Sequence, residues 1–155
     1  MKIAIVLLLS LFTLTVQAAT IGERLAPWTL SDQHDKPYTL DNQTRVLLVA
    51  RNMDGSKLVK AALQDQPKDY LEARHVVFLA DIQRMPSLIG KLIAIPAMRD
   101  YNYRVVLDRD GKIAAQYPGA EDKVLWMQLD NGVVTAQNAY PSADHLRAAI
   151  ASPHP

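Results

Sequence analysis

Residues 45–56 read RVLLVARNMDGS, and this stretch decides the fold. Val46 to Ala50 is an unbroken apolar run rich in branched residues. A strand with one wet face alternates apolar with polar, whereas an unbroken run predicts a strand buried on both faces. Asn52-Met53-Asp54-Gly55-Ser56 follows as a tight loop. Asp54 or Ser56 is expected to cap the next helix, because a side-chain oxygen there can accept a free first-turn N–H. That helix carries Leu58, Val59, Ala62 and Leu63 on one face and is expected to end near Pro67.

Working outward, His75 to Ala80 (HVVFLA) predicts a second buried strand. Pro86 to about Asn102 predicts a helix with Leu88, Ile89, Leu92, Ile93 and Ile95 apolar. Pro96 should kink or divide it, since proline cannot donate the expected backbone bond. Arg104 to Asp108 (RVVLD) is a third strand, and Gly111 to Tyr117 fits either a hairpin return or a short helix. Val124 to Leu129 and Val133 to Asn138 flank Asp130-Asn131-Gly132, and an Asn-Gly pair between apolar runs signals a hairpin. Alternation puts Leu125, Met127 and Leu129 on the buried face, with Trp126 expected to be partly exposed on the other. Ser142 caps a last helix with Leu146, Ala149 and Ile150 inward. On the N-terminal side, short extended pieces are expected around Trp28–Leu30 and Tyr38–Leu40, joined by a turn over Ser31–Lys36. Strands alternating with helices place the chain in the α/β class, as three layers around a mixed central sheet.

Residues 1–18 have the layout of a cleavable signal peptide, in which Lys2 precedes the apolar run Ile3–Leu14 and Val16-Gln17-Ala18 offers a small-residue cleavage site. The run is shorter than the roughly 20 residues of a spanning helix. Cleavage after Ala18 is expected, leaving one periplasmic domain over 19–155 with no stable membrane insertion. Seventeen Lys and Arg against 16 Asp and Glu give no electrostatic case for nucleic acid. The chain has no cysteine, so a packed core must hold it without disulfides.

The order of elements resembles the thioredoxin-like superfamily, in its secreted peroxiredoxin and TlpA-like branches. The passages that carry the resemblance are Gly22 to Asp32, the strand Val46 to Val49 with its loop and helix start, Val105 to Gly111 followed by Tyr117, and Leu129 to Val133 before a last helix. The chain is also similar to the secreted proteins grouped as YtfJ-like, whose function is not established. In the superfamily the first helix begins at a cysteine whose thiolate the helix N-terminus stabilises. Here the equivalent window is Met53-Asp54-Gly55-Ser56. The family's facing cis-proline lies six residues before the hairpin aspartate, where this chain has Val124. Both requirements of thiol chemistry are missing together. The resemblance implies a redox-inactive module whose groove, around Met53, Asp54, Gly55, Ser56 and Val124, receives a protein or peptide partner.

Other chemistry weighs less. Ser56 as a nucleophile needs a base such as His75 within hydrogen-bond reach, and no G-x-S-x-G elbow surrounds it. A non-thiol enzyme built on Ser56 is the alternative function, and a redox relative whose cysteine comes from a partner is a third. His34, His75, His145 and His154 share no metal-ligand spacing, so no metal or other cofactor is expected. Asp108-Arg109-Asp110-Gly111 begins like a calcium loop but lacks the later acidic ligands, which favours a turn. Arg51 beside Asn52 could hold an anion at the helix start, but Asp54 opposes this. Tyr101, Tyr103, Tyr117, Trp126 and Met127 suit packing better than a cofactor box.

Thiolate attack is the step shared by peroxide and disulfide reduction. Purified protein is therefore expected to turn over neither peroxide nor insulin above the buffer rate. Turnover that survives repurification would show that a bound cofactor supplies the missing group.

Overall fold

The computed structural model describes residues 19–117, 119 and 121–152. Residues 1–18, read from the sequence as a signal peptide, and residues 153–155, His154 among them, lie outside the described residues. Five strands form one sheet, β3 (Val46–Ala50), β4 (Val76–Asp81), β5 (Val106–Asp108), β6 (Val124–Asp130) and β7 (Val133–Tyr140), in the order β5-β4-β3-β6-β7. Strands β3, β4 and β5 are parallel neighbours, whereas β6 and β7 run antiparallel. The mixed sheet predicted from the sequence is present.

Strand β3 is buried along its whole length. Val46, Leu48 and Ala50 face one core with Phe78, Leu107 and Trp126. Leu47 and Val49 face a second with Leu79, Val106 and Met127. Helices α1 (Met53–Ala62), α3 (Ile95–Met98) and α4 (Ala143–Ala151) cover the first core. The layer over the second is mostly irregular, built from Leu25, Trp28, Leu40, Ala114 and Tyr117. Trp28 and Tyr117 are joined there by an indole N–H that donates to the phenol oxygen at 2.7 Å.

A small hairpin, β1 (Thr29–Ser31) with β2 (Pro37–Thr39), stands apart from the main sheet. The side chain of Gln33, just beyond β1, ties it to the edge of the main sheet. Its amide donates to the Tyr103 carbonyl at 2.8 Å, and its oxygen accepts from Val105 N at 2.8 Å. Gln33 is 1% exposed, so these bonds satisfy a polar group that would otherwise be costly to bury.

Two expectations need correction, and one open alternative is decided. Trp126 is buried rather than partly exposed, because α4 and Tyr140 cover the face of β6 that was expected to be wet. Residues 111–117 hold a short helix, the 3₁₀ turn Ala114–Gln116, and not a hairpin return. The single helix expected over 86–102 is divided differently, as α2 (Ser87–Ile89), a π-turn (Gly90–Ala94) and then α3. Pro96 follows the π-turn directly with helical backbone before it, so the wide turn accommodates the N–H that proline lacks. The wide turn rotates the apolar residues before it off the face that Ile95 and Met98 bury. Of the five apolar residues singled out in this segment, only Ile95 is buried.

The closing hairpin turns on Asn131 (φ 49°) and Gly132 (φ 82°), the pair of positive angles a type I′ turn needs. A Cβ on Gly132 would also come within 2.8 Å of Asn42 Oδ1. Gly132→Val should therefore destabilise the protein by about 1–3 kcal/mol, read as a lower midpoint in thermal or urea unfolding. An unchanged midpoint would mean that the turn is not tight.

Candidate functional site

The parallel strands place the loops after β3 and β4 at one end of the sheet. Because β6 is antiparallel to β3, with Ala50 opposite Val124, the segment before β6 reaches the same end. The window singled out from sequence thus meets Val124 across neighbouring strands. The side chains do not share one role. Met53 is 49% exposed and Asp54 is exposed, Ser56 is half-buried, and Gly55 and Val124 are buried. Val124 gives its side chain to the first core and presents no apolar surface to a ligand.

Helix α1 starts at Met53, so the capping position falls on Asn52 rather than on Asp54 or Ser56. Asn52 Oδ1 accepts from Gly55 N at 3.1 Å. Asp54 lies within the first turn, where a carboxylate suits the positive end of the helix dipole. Its partner Lys57 is 3.9 Å away and both are exposed, so the pair adds little. Gly55 is set by packing. A Cβ there would stand 3.1 Å from Ala50 Cβ, so glycine lets the helix start press against the end of β3.

Ser56 and His75 are not brought together. His75 precedes β4, whose parallel register begins at Val46↔Val76, whereas Ser56 follows the far end of β3. A strand of that length separates them by roughly 15 Å, beyond any proton transfer. His145 Nδ1 lies 3.0 Å from Ser142 Oγ, the oxygen that caps α4 by accepting from His145 N. Among the described residues no group of three or more His, Asp or Glu is placed to hold a metal. Asp108 does cap a turn, its Oδ2 accepting from Ile113 N at 2.9 Å and Ala114 N at 2.8 Å. Arg51 is half-buried beside the helix start. Tyr103, Tyr117, Trp126 and Met127 are buried in the two cores, and Tyr101 packs half-buried against the first.

Sequence reasoning missed an exposed apolar stripe. Leu88 is 70% exposed, Ile89 46%, Leu92 72% and Ile93 61%. Leu88 and Ile89 open α2, which follows β4, so they emerge at the same end of the sheet as Met53. Spacing alone makes these residues look like a buried helix face. The signal against that reading was Gly90 within the stripe and prolines at 86 and 96.

No protein-family profile matches the sequence, and no curated protein matches it. Solved structures do. Peroxidoxin BcpB from Mycobacterium tuberculosis is similar at 18% identity and TM-score 0.57, over 86% of this chain and 95% of that one. The thioredoxin domain of a thiol-disulfide oxidoreductase from Bacteroides vulgatus is similar at 14% identity and TM-score 0.52, over 86% and 96%. A thiol peroxidase from Chromobacterium violaceum is similar at 11% identity and TM-score 0.52, over 86% and 87%. The chain therefore has the thioredoxin-like fold, in a form without cysteine and so without a thiol of its own to react.

The cap assignment is open to measurement. Asn52→Ala should cost about 1 kcal/mol of stability, while Ser56→Ala changes the unfolding midpoint little. A larger loss for Ser56→Ala would move the cap to Ser56.

Proposed function

We propose that this protein is a redox-inactive thioredoxin-like module that binds an extended polypeptide at the end of its sheet where α1 begins. One observation carries the reading. Met53, Leu88 and Ile89 stand exposed at that end, with Leu92 and Ile93 continuing the stripe. Large apolar side chains left in water together mark an interaction surface more often than isolated ones do. Open α/β sheets also bind ligands beyond the carboxyl ends of their strands. Methionine suits such a surface because its flexible thioether adapts to different partners. Helix α1 begins at Met53, in the window Met53–Ser56 where the superfamily it resembles has its first cysteine, so this helix start offers a contact residue and no thiol.

The protein acts in the periplasm on this reading, exported by residues 1–18. The lysine, the apolar run and the small residues before Ala19 support export. Ala19 N donates to the Gln116 carbonyl at 3.1 Å, and the Gln137 amide donates to the Ala19 carbonyl at 2.8 Å. A cut after Ala18 leaves those contacts in place.

A photo-reactive residue at position 53 reports the partner in cells, whereas position 55 is buried and unsuited to it. Crosslinked protein recovered from the periplasmic fraction should begin at Ala19 and carry a polypeptide. Met53→Asp should leave the melting temperature unchanged or slightly raised, since an acid suits the first helical turn, yet abolish the crosslink placed at Leu88. A variant that unfolds would return Met53 to the core. A folded variant with an undiminished crosslink would remove Met53 from the binding surface.

A further inference from the structure

A pocket of about 190 Å³ opens between α1 and α3. Its base is apolar, formed by Phe78, Met98 and Val105, and Tyr101 and Tyr103 make one wall. Met53, Ser56, Lys57 and Lys60 stand along the α1 side. No carboxylate lines it. Of its two ammonium groups, that of Lys57 is held only by the loose, exposed pair with Asp54, and that of Lys60 rests over the Tyr101 ring at 5.2 Å from its centroid. Both can turn to a ligand at little cost.

The Tyr103 hydroxyl is the second observation. Tyr103 is 8% exposed, and its hydroxyl has no hydrogen-bond partner. Leaving a buried hydroxyl unpaired costs stability that a bound acceptor would restore. Burial, with a smaller contribution from Tyr101, pushes its pKa up, so it remains a protonated donor. A second hollow shares Lys57, Lys60, Tyr101 and Tyr103 with this pocket and also carries Asp65 and Asp100. Those acids repel an anion, which leaves the Met53 side as the seat for negative charge.

We infer that this pocket binds a monocarboxylate with a short apolar or aromatic body, the body on Phe78, Met98 and Val105 and the carboxylate between Lys57, Lys60 and the Tyr103 hydroxyl. The volume lies below the roughly 300 Å³ at which drug-sized sites begin, so it takes a single ring or a short alkyl chain. Such a group can arrive as a free acid or as the C-terminal residue of a polypeptide. The inference rests on the reading of this helix start as a binding site, but not on the occupant being a polypeptide.

Titration of the purified protein by NMR or calorimetry with 3-phenylpropionate, its neutral amide, and a short peptide ending in phenylalanine with a free or amidated terminus separates the sources. The free acid should bind saturably with a Kd of roughly 1 mM or below and shift the Met53 and Met98 methyl signals. The amide should bind about tenfold more weakly, as loss of a charge-assisted contact requires. Lys57→Gln with Lys60→Gln, both exposed changes, should weaken the acid toward the amide while the melting temperature holds, and Tyr103→Phe should weaken it several-fold. If only the free-terminus peptide binds, the same pocket serves a polypeptide end. Equal binding of acid and amide, indifference to the lysine changes, or no saturable binding of either acid or peptide would overturn the inference. The crosslink at position 53 would then still judge the polypeptide surface separately.

Discussion

Everything in this fold hangs on β3, a five-residue strand with no exposed side chain. It lies between β4 and β6 and gives alternate residues to two separate cores. Burial of branched apolar residues on both faces is the main source of stability open to a chain with no disulfide. The strand also fixes the end of the sheet at which α1 begins. Whatever follows Ala50 must leave the sheet beside the segment that enters β6 at Val124.

At that end the protein keeps the geometry of a redox fold and changes its content. The helix start is capped by Asn52 and pressed onto Ala50 by Gly55, so its backbone is held firmly. Around it stand a methionine, a half-buried serine, two lysines and an apolar stripe. Ser56 has no histidine beside it, since strand length keeps His75 at the opposite end. These soft apolar and cationic side chains are the contacts on which the proposed binding role rests.

The layer over the second core has its own logic. It contains little helix, so its polar backbone needs side chains to order it. Gln33 joins the N-terminal hairpin to β5, Trp28 reaches Tyr117, and Asp108 caps the 3₁₀ turn. Each is a buried polar group with its partners supplied, and those of Gln33 and Trp28 come from segments distant in sequence. Such contacts specify one arrangement because any other leaves the group unpaired.

The sequence by itself determined the strands, the hairpin, the α/β class and the absence of thiol chemistry. Unbroken apolar runs such as Val46–Ala50, the Asn131-Gly132 pair and a count of zero cysteines are local facts, and local physics reads them directly. The last cap, Ser142, was equally legible. The tertiary structure alone decided which residues face water. Trp126 and Leu92 look alike as apolar residues in regular elements, yet Trp126 packs in the first core against Tyr140 while Leu92 stands exposed among the described residues. The cap fell on Asn52 because packing of Gly55 against Ala50 set where the helix begins. The pocket that brings Tyr103 together with two lysines was invisible in sequence for the same reason. Burial is a property of what lies opposite a residue, and what lies opposite is set by crossover connections, not by neighbours along the chain.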